Sequence, residues 1–250
     1  MKAMMPYILE QPALFRQMLQ DRAAIAAPFV EAVKKADPDR LIIVASGTSR
    51  NASAAAAPFM EWVFGLPVEV VAPSELDLIA GKKPFLIFVS QGGNSTNTIA
   101  AIERVSMYPS LALTGDPNGH INALCPHTVL IPCGEEKAGP KTKGYICTIL
   151  TLYLMALEAS HAKGNLTVET YNECLAHLAT AAEQLQPNID RTIAWVQGNA
   201  DNLKKLKVVY LTGKLQSSFV AAEGALKLME TLLIPAVSFD FEEYLHGPSC

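Results

Sequence analysis

The sequence predicts an α/β fold, a doubly wound parallel β-sheet with helices on both faces. Three observations carry the prediction. Short, unbroken apolar runs rich in Ile, Val and Phe alternate with segments of helix length, as strands buried on both faces do. The runs at 41–45 and 85–89 each end in a Ser/Thr/Gly turn that opens a helix, the arrangement found beyond the carboxyl ends of parallel strands. One pattern of strand, glycine, helix, proline and strand occurs twice, offset by 166 residues at Gly47/Gly213 and by 168 at Pro67/Pro235, so two copies of one α/β module are expected in tandem.

In chain order, residues 1–36 read as helix, with apolar residues at helical spacing from Leu14 to Val33 until Asp37-Pro38-Asp39 ends the pattern. A strand at 41–45 leads through Ser46-Gly47-Thr48-Ser49 into an alanine-rich helix at 52–64, in which Pro58 is expected to kink or limit the helix. Strands follow at 68–71 and 85–89. The turn 90–95 leads to a helix at 96–106, and strands at 111–114 and 128–131 come next. After a polar loop at 133–142 a long helix is expected at 143–163, then helices near 168–184 and 189–203 and a strand at 207–211. The expected organisation is N-terminal helices at 1–36, a first module at 37–165, linking helices at 166–206 and the start of a second module at 207–250. Because the second module holds only two strand candidates and one helix, repeat arithmetic leads one to expect roughly ninety further residues in the natural protein.

Composition narrows the function classes. Half of the 250 residues are hydrophobic and 18% are charged, enough for a full core and unlike a disordered chain. Twenty basic residues face twenty-four acidic ones, a net charge of −4, so no basic excess exists to neutralise nucleic acid and none is expected as a partner. The longest apolar stretch, 145–159, is interrupted by Thr148, Thr151 and Glu158 and is shorter than the ~20 residues that span a bilayer. With no signal-peptide pattern at the N-terminus, the expectation is no membrane partner and a cytoplasmic location. Five cysteines (125, 133, 147, 174 and 250) at unrelated spacings, without a CxxC, fit neither a disulfide framework nor structural zinc. No metal and no cofactor is expected.

The two polar turns are the first candidates for chemistry. The first amides of a helix are unpaired and lie at the positive end of its dipole, hydroxyls add donors, and glycine lets the backbone approach an anion. Ser46–Ser49 and Ser90–Ser95 therefore read either as ordinary N-caps or as two arms of a phosphate cradle. Neither a GxxxxGK[ST] nor a GxGxxG signature is present.

Gly47-Thr48-Ser49, Ser90-Gln91-Gly92-Gly93, the loop from Cys133 to Tyr145, the segment from Glu223 through Lys227 to Glu230 (EGALKLME) and His246-Gly247-Pro248 occur in an ordered set. This set resembles the sugar isomerase (SIS) domain family. It is most similar to the isomerase half of glucosamine-6-phosphate synthase and to fructosamine-type 6-phosphate deglycases, over nearly the whole chain after residue 36. The resemblance implies a flavodoxin-like three-layer sandwich and a small-molecule sugar phosphate as ligand. It places the 6-phosphate on Thr48, Ser49, Ser90, Gln91 and Ser95. It implies that Glu230 moves a proton between C1 and C2, that Lys227 neutralises or positions it, and that His246 assists ring opening. It further implies a homodimer with shared active sites, the histidine serving the neighbouring subunit, and a further catalytic lysine beyond residue 250. Where the synthase carries a second serine, an acidic residue and a threonine in the second turn, this chain has Gly92, Asn94 and Ser95. Where the synthase has a serine bordering the sugar, this chain has Lys141.

The residue types support that chemistry independently. Moving a proton next to a carbonyl requires one base able to reach both carbons, and a partly buried carboxylate suits the task. Glu223, Lys227 and Glu230, at i, i+4 and i+7, share one helix face; a solvated, salt-bridged face is the other reading. Glu135, Glu136 and Lys141 read either as selectors of a substrate bearing amine and acid groups or as solvated loop charges. His120, His127, His161 and His177 have no metal-ligand spacing. Two functions follow: a phosphosugar isomerase or deglycase acting on a 6-phosphorylated ketose, aldose or amine adduct, or a non-catalytic SIS protein that senses sugar phosphates.

Overall fold

A computed structural model of the chain describes residues 4–76 and 82–249. Helices α1 (Met5–Gln20) and α2 (Arg22–Ala36) precede strand β1 (Arg40–Ala45), helix α3 (Gly47–Phe64) and strand β2 (Val68–Val71). Strand β3 (Pro84–Val89), helix α4 (Thr96–Arg104), strand β4 (Ser110–Thr114), helix α5 (Ile121–Leu124) and strand β5 (Thr128–Leu130) follow. Helices α6 (Lys143–Lys163), α7 (Val168–Gly198) and α8 (Ala200–Leu203) lead to β6 (Val209–Gly213), α9 (Gln216–Leu232), β7 (Ala236–Asp240) and α10 (Phe241–Leu245).

Five parallel strands form one sheet in the order β2-β1-β3-β4-β5. The order reverses between β1 and β3, and open α/β sheets bind ligands beyond the strand ends at such a switch point. Side chains alternate between the faces as the pleat requires. Leu41, Ile43, Phe85, Ile87, Leu111 and Leu113 enter one core with residues of α2, α3 and α6. Ile42, Val44, Leu86, Phe88 and Ala112 enter a second with α4 and α5. The sheet is thus covered on both sides, the three-layer arrangement expected. Helix α6 is long and apolar enough to cross a bilayer by composition, yet Leu150, Leu152, Leu154, Met155 and Leu157 lie in the first core.

The second βαβ unit repeats the first: β6 pairs with β7 in parallel through α9, as β1 pairs with β2 through α3, and α9 packs against α3. Two expectations need correction. The helix placed at 52–64 begins at Gly47, because its first turn is polar and carries no apolar periodicity. The helices placed at 168–184 and 189–203 are one helix through Pro187, followed by a single short turn. There the loss of one backbone hydrogen bond falls on an exposed stretch of α7 and does not break it.

Candidate functional site

The turns after β1 and β3 lie side by side, because those strands are neighbours with Ala45 opposite Val89. Ser46 and Ser95 occupy the N-cap positions of α3 and α4, but neither side chain caps its helix. Instead the Ser95 and Ser90 hydroxyls lie 3.0 Å apart and share a hydrogen bond, and Asn97 Nδ2 donates to Ser46 Oγ at 2.9 Å, tying the two turns together. The Ser46 and Ser95 hydroxyls thus leave the first-turn amides of α3 and α4 uncapped, apart from Thr98 N, which donates to Asn97 Oδ1 at 2.9 Å. Both turns border a cleft of about 320 Å³ lined by Thr48, Ser49, Ser90, Gln91, Ser95 and Lys141. All five phosphate candidates from the sequence meet there. Gly93, at φ +67, makes the geometry possible: it lies in backbone contact with Gly119 of the turn after β4, and a side chain on it would collide.

A second cavity of about 450 Å³ adjoins the first through shared residues Gln91, Gly92 and Lys141, and extends beneath Asp116, Glu135 and Glu136. The loop charges play different parts. Glu136 is buried and its carboxylate accepts from Thr142 N and Oγ1, both at 2.7 Å, and from Gly144 N at 3.1 Å. That places a negative charge on the N-terminus of α6, where the dipole favours it. Lys141 Nζ donates to the carbonyls of Glu136 and Ala138 at 2.7 and 3.1 Å. Glu135 is exposed and pairs with Lys137 at 3.3 Å. The Gln91 amide rests against Gly144 and donates to Cys133 Sγ at 3.7 Å, and burial raises that thiol's pKa above its ordinary value.

The helix face of Glu223, Lys227 and Glu230 docks on the first turn of α3. Glu223, buried, accepts from Thr48 Oγ1 at 3.0 Å and from Asn51 Nδ2 at 2.8 Å. Lys227 Nζ lies 3.2 Å from Glu223, donates to Thr48 Oγ1 at 3.1 Å and to Glu230 Oε2 at 2.5 Å. The Glu230 side chain remains 38% exposed. The Thr48 hydroxyl is therefore occupied by α9, and its contribution to an anion in the cleft falls to its backbone amide. Asn51 was not a sequence candidate; its only signal is the i, i+3 spacing from Thr48, which puts both on one face. Tyr145, from the first turn of α6, has a buried hydroxyl without a hydrogen-bond partner, and its pKa is raised by burial and by the nearby Glu223 charge. His246 is exposed just past α10 and shares neither of these cavities. Among the described residues, no group of three His, Cys, Asp or Glu is placed to hold a metal ion. Cys125, Cys133, Cys147 and Cys174 are buried and free; Cys250 lies outside the described residues.

No protein-family model matches the chain. Over 98% of its length it is 29% identical to a glutamine–fructose-6-phosphate aminotransferase (isomerizing) of Oceanobacillus iheyensis, and 30% identical to one of Staphylococcus epidermidis. It spans 42% of each of these relatives. Among solved structures, a candidate phosphosugar isomerase of Clostridium difficile 630 matches 97% of the chain with a TM-score of 0.91 at 28% identity, the match covering 70% of that protein. These matches fit the sugar isomerase (SIS) domain family, whose fold the chain shares. A candidate sugar-binding protein of Salmonella typhimurium LT2, 29% identical with a TM-score of 0.87, covers 97% of this chain, which in turn covers 76% of it. The C-terminal domain of glucosamine-fructose-6-phosphate aminotransferase from Francisella tularensis, at 22% identity, shares the SIS fold with a TM-score of 0.89 over 99% of this chain and 72% of its own.

Proposed function

We propose that the chain acts on a 6-phosphorylated ketose or aldose, or on its amine adduct, by moving a proton between C1 and C2. The observation that supports this most is the link between the two halves of the site. Thr48, on the wall of the 320 Å³ cleft, is one hydrogen bond from Lys227, and Lys227 is one hydrogen bond from Glu230. A phosphate held in the turns thus fixes one end of a sugar near a carboxylate.

In this reading Ser49, Ser90, Ser95 and the first-turn amides of α3 and α4 bind the phosphate, with Gln91 bordering it. Glu230 takes a proton from C1 of the open-chain ketose, and the C–H electron pair forms the C1=C2 double bond as the C2 oxygen gains a proton. The carboxyl returns its proton to C2 while the O1 hydroxyl gives up its own, leaving the aldose. Lys227 holds the Glu230 carboxylate in place and offsets its charge. His246 assists ring opening and, being remote from these cavities, serves the sugar of the second subunit in a homodimer. The 450 Å³ cavity beside Lys141, with Asp116 and Glu135 along it, receives the amine-bearing part of an adduct.

The test offers fructose 6-phosphate, glucosamine 6-phosphate and 6-phosphofructosyl-amino acids to the full chain and follows hexose 6-phosphate formation. Turnover of any of these supports the reading. Tight binding of all of them without turnover would replace it with the sensor reading.

A further inference from the structure

Lys143 has a feature that the proposed reaction leaves unexplained. Its side chain is only 6% exposed, and its ammonium pairs with Glu10 Oε2 at 2.6 Å. The same ammonium lies 5.0 Å from the centre of the Tyr7 ring, within reach of a cation–π contact. Tyr7 also accepts a hydrogen bond on its hydroxyl from the amide of Lys137 at 3.1 Å. Tyr7 and Glu10 are three residues apart on α1 and so present one face. From that face α1 holds the 133–142 loop at its middle, through Lys137, and at its end, through Lys143.

The grip matters because of what the loop carries. Lys143 is the first residue of α6, flanked by Thr142 and Gly144, whose amides hold the buried Glu136 carboxylate. Between these anchors lies Lys141, which lines both cavities. A buried ammonium that loses its carboxylate is strongly disfavoured. Without Glu10, Lys143 has to turn towards water, and the start of α6 and the end of the loop move with it.

Resting on the function proposed above, we propose that Tyr7 and Glu10 are positioning residues: acting through buried Lys143, they set the loop wall that carries Lys141 against the substrate. They touch no substrate themselves. The N-terminal helix is in this sense a part of the active site rather than a covering of the core.

The experiment compares the full chain with Glu10→Gln, and with Tyr7→Phe, which keeps the ring and removes only the acceptor oxygen. Hydrogen exchange is followed over 133–142, and kinetics are measured with fructose 6-phosphate. The expected result is faster exchange confined to the loop and the first turn of α6. It is accompanied by a loss of kcat/KM of about ten- to hundredfold carried by KM, with kcat little changed. Loop exchange equal to that of the parent protein in both variants would overturn the inference. So would a fall in kcat at constant KM, the signature of a smaller folded fraction. Should the parent protein neither bind nor convert fructose 6-phosphate, the proposed function fails, and the exchange measurement alone decides this inference.

Discussion

Thr48 and Glu223 stand 175 residues apart in the chain, yet the Thr48 hydroxyl donates to Glu223 Oε1 at 3.0 Å and accepts from Lys227 at 3.1 Å. One hydroxyl thus joins the first βαβ unit to the second at the rim of the cleft. Asn51 completes the joint from the next turn of α3. Helix α9, which carries Glu230, is docked by polar contacts with the very helix whose first turn borders the 320 Å³ cleft.

Replacing Glu223 by Ala removes the shared acceptor of Thr48, Asn51 and Lys227. Hydrogen bonds to charged groups are worth about 1.5–3 kcal/mol each, so the docking of α9 should weaken by at least ~2 kcal/mol. Urea denaturation together with hydrogen exchange in α9 measures this. Unchanged values in both would show that apolar packing alone holds the two units together.

Ser49→Ala with Ser90→Ala should weaken fructose 6-phosphate binding without unfolding the protein, because Ser90 belongs to the hydroxyl pair at the floor of the cleft and Ser49 to its wall. Each lost hydrogen bond to the phosphate is worth about 1.5–3 kcal/mol, roughly tenfold or more in affinity. Titration calorimetry reads the change. Equal affinities would return both turns to a purely structural role.

Much of this architecture was legible in the sequence, and the exceptions have a common cause. The 68–71 strand is legible to the residue, and the 143–163 helix is legible from its start to about its end, since apolar pattern and boundary signals agree there. The first turn of α3 was not, because Gly47 to Asn51 face the cleft and α9 rather than the core and carry no periodicity. The helix face of Glu223, Lys227 and Glu230 followed from spacing alone. Its partners Thr48 and Asn51, and the pairing of Glu10 with Lys143, depend on contacts across more than a hundred residues, which local pattern does not encode. Glu136 illustrates the opposite case: of its two readings, the solvated one fails, since the charge is buried and anchors the start of α6 while lining the 450 Å³ cavity.

Glu136→Ala would strip the acceptor from three donors at the start of α6. A buried donor left without a partner costs about 1–3 kcal/mol, so the variant should lose at least ~2 kcal/mol of stability and loosen the 133–142 loop. Thermal unfolding monitored by circular dichroism, with exchange over the loop, checks both. A variant as stable as the parent protein would mean that water replaces the carboxylate without loss.

Burial pushes the thiols of Cys125 and Cys147 up to about 11 and about 12, from an ordinary 9.0. Between those values the unfolded chain gives up thiol protons that the folded chain keeps. Folding stability should therefore fall as the pH rises from about 9 towards 11. At pH 8 both thiols should react with a thiol reagent only as fast as the protein opens. Rapid modification of either in the folded state would contradict their placement in the core.

The central claim is that Glu230 carries a proton between C1 and C2 of a phosphorylated sugar, and solvent exchange tests it most directly. The full chain is incubated with fructose 6-phosphate in deuterium oxide, beside Glu230→Gln, and the sugar is followed by NMR. The account predicts deuterium at C1 of the ketose or C2 of the aldose with the parent protein, and none above background with the variant, which still binds the sugar. Incorporation at the parent rate by Glu230→Gln, or none by a parent protein that binds the sugar, would contradict it.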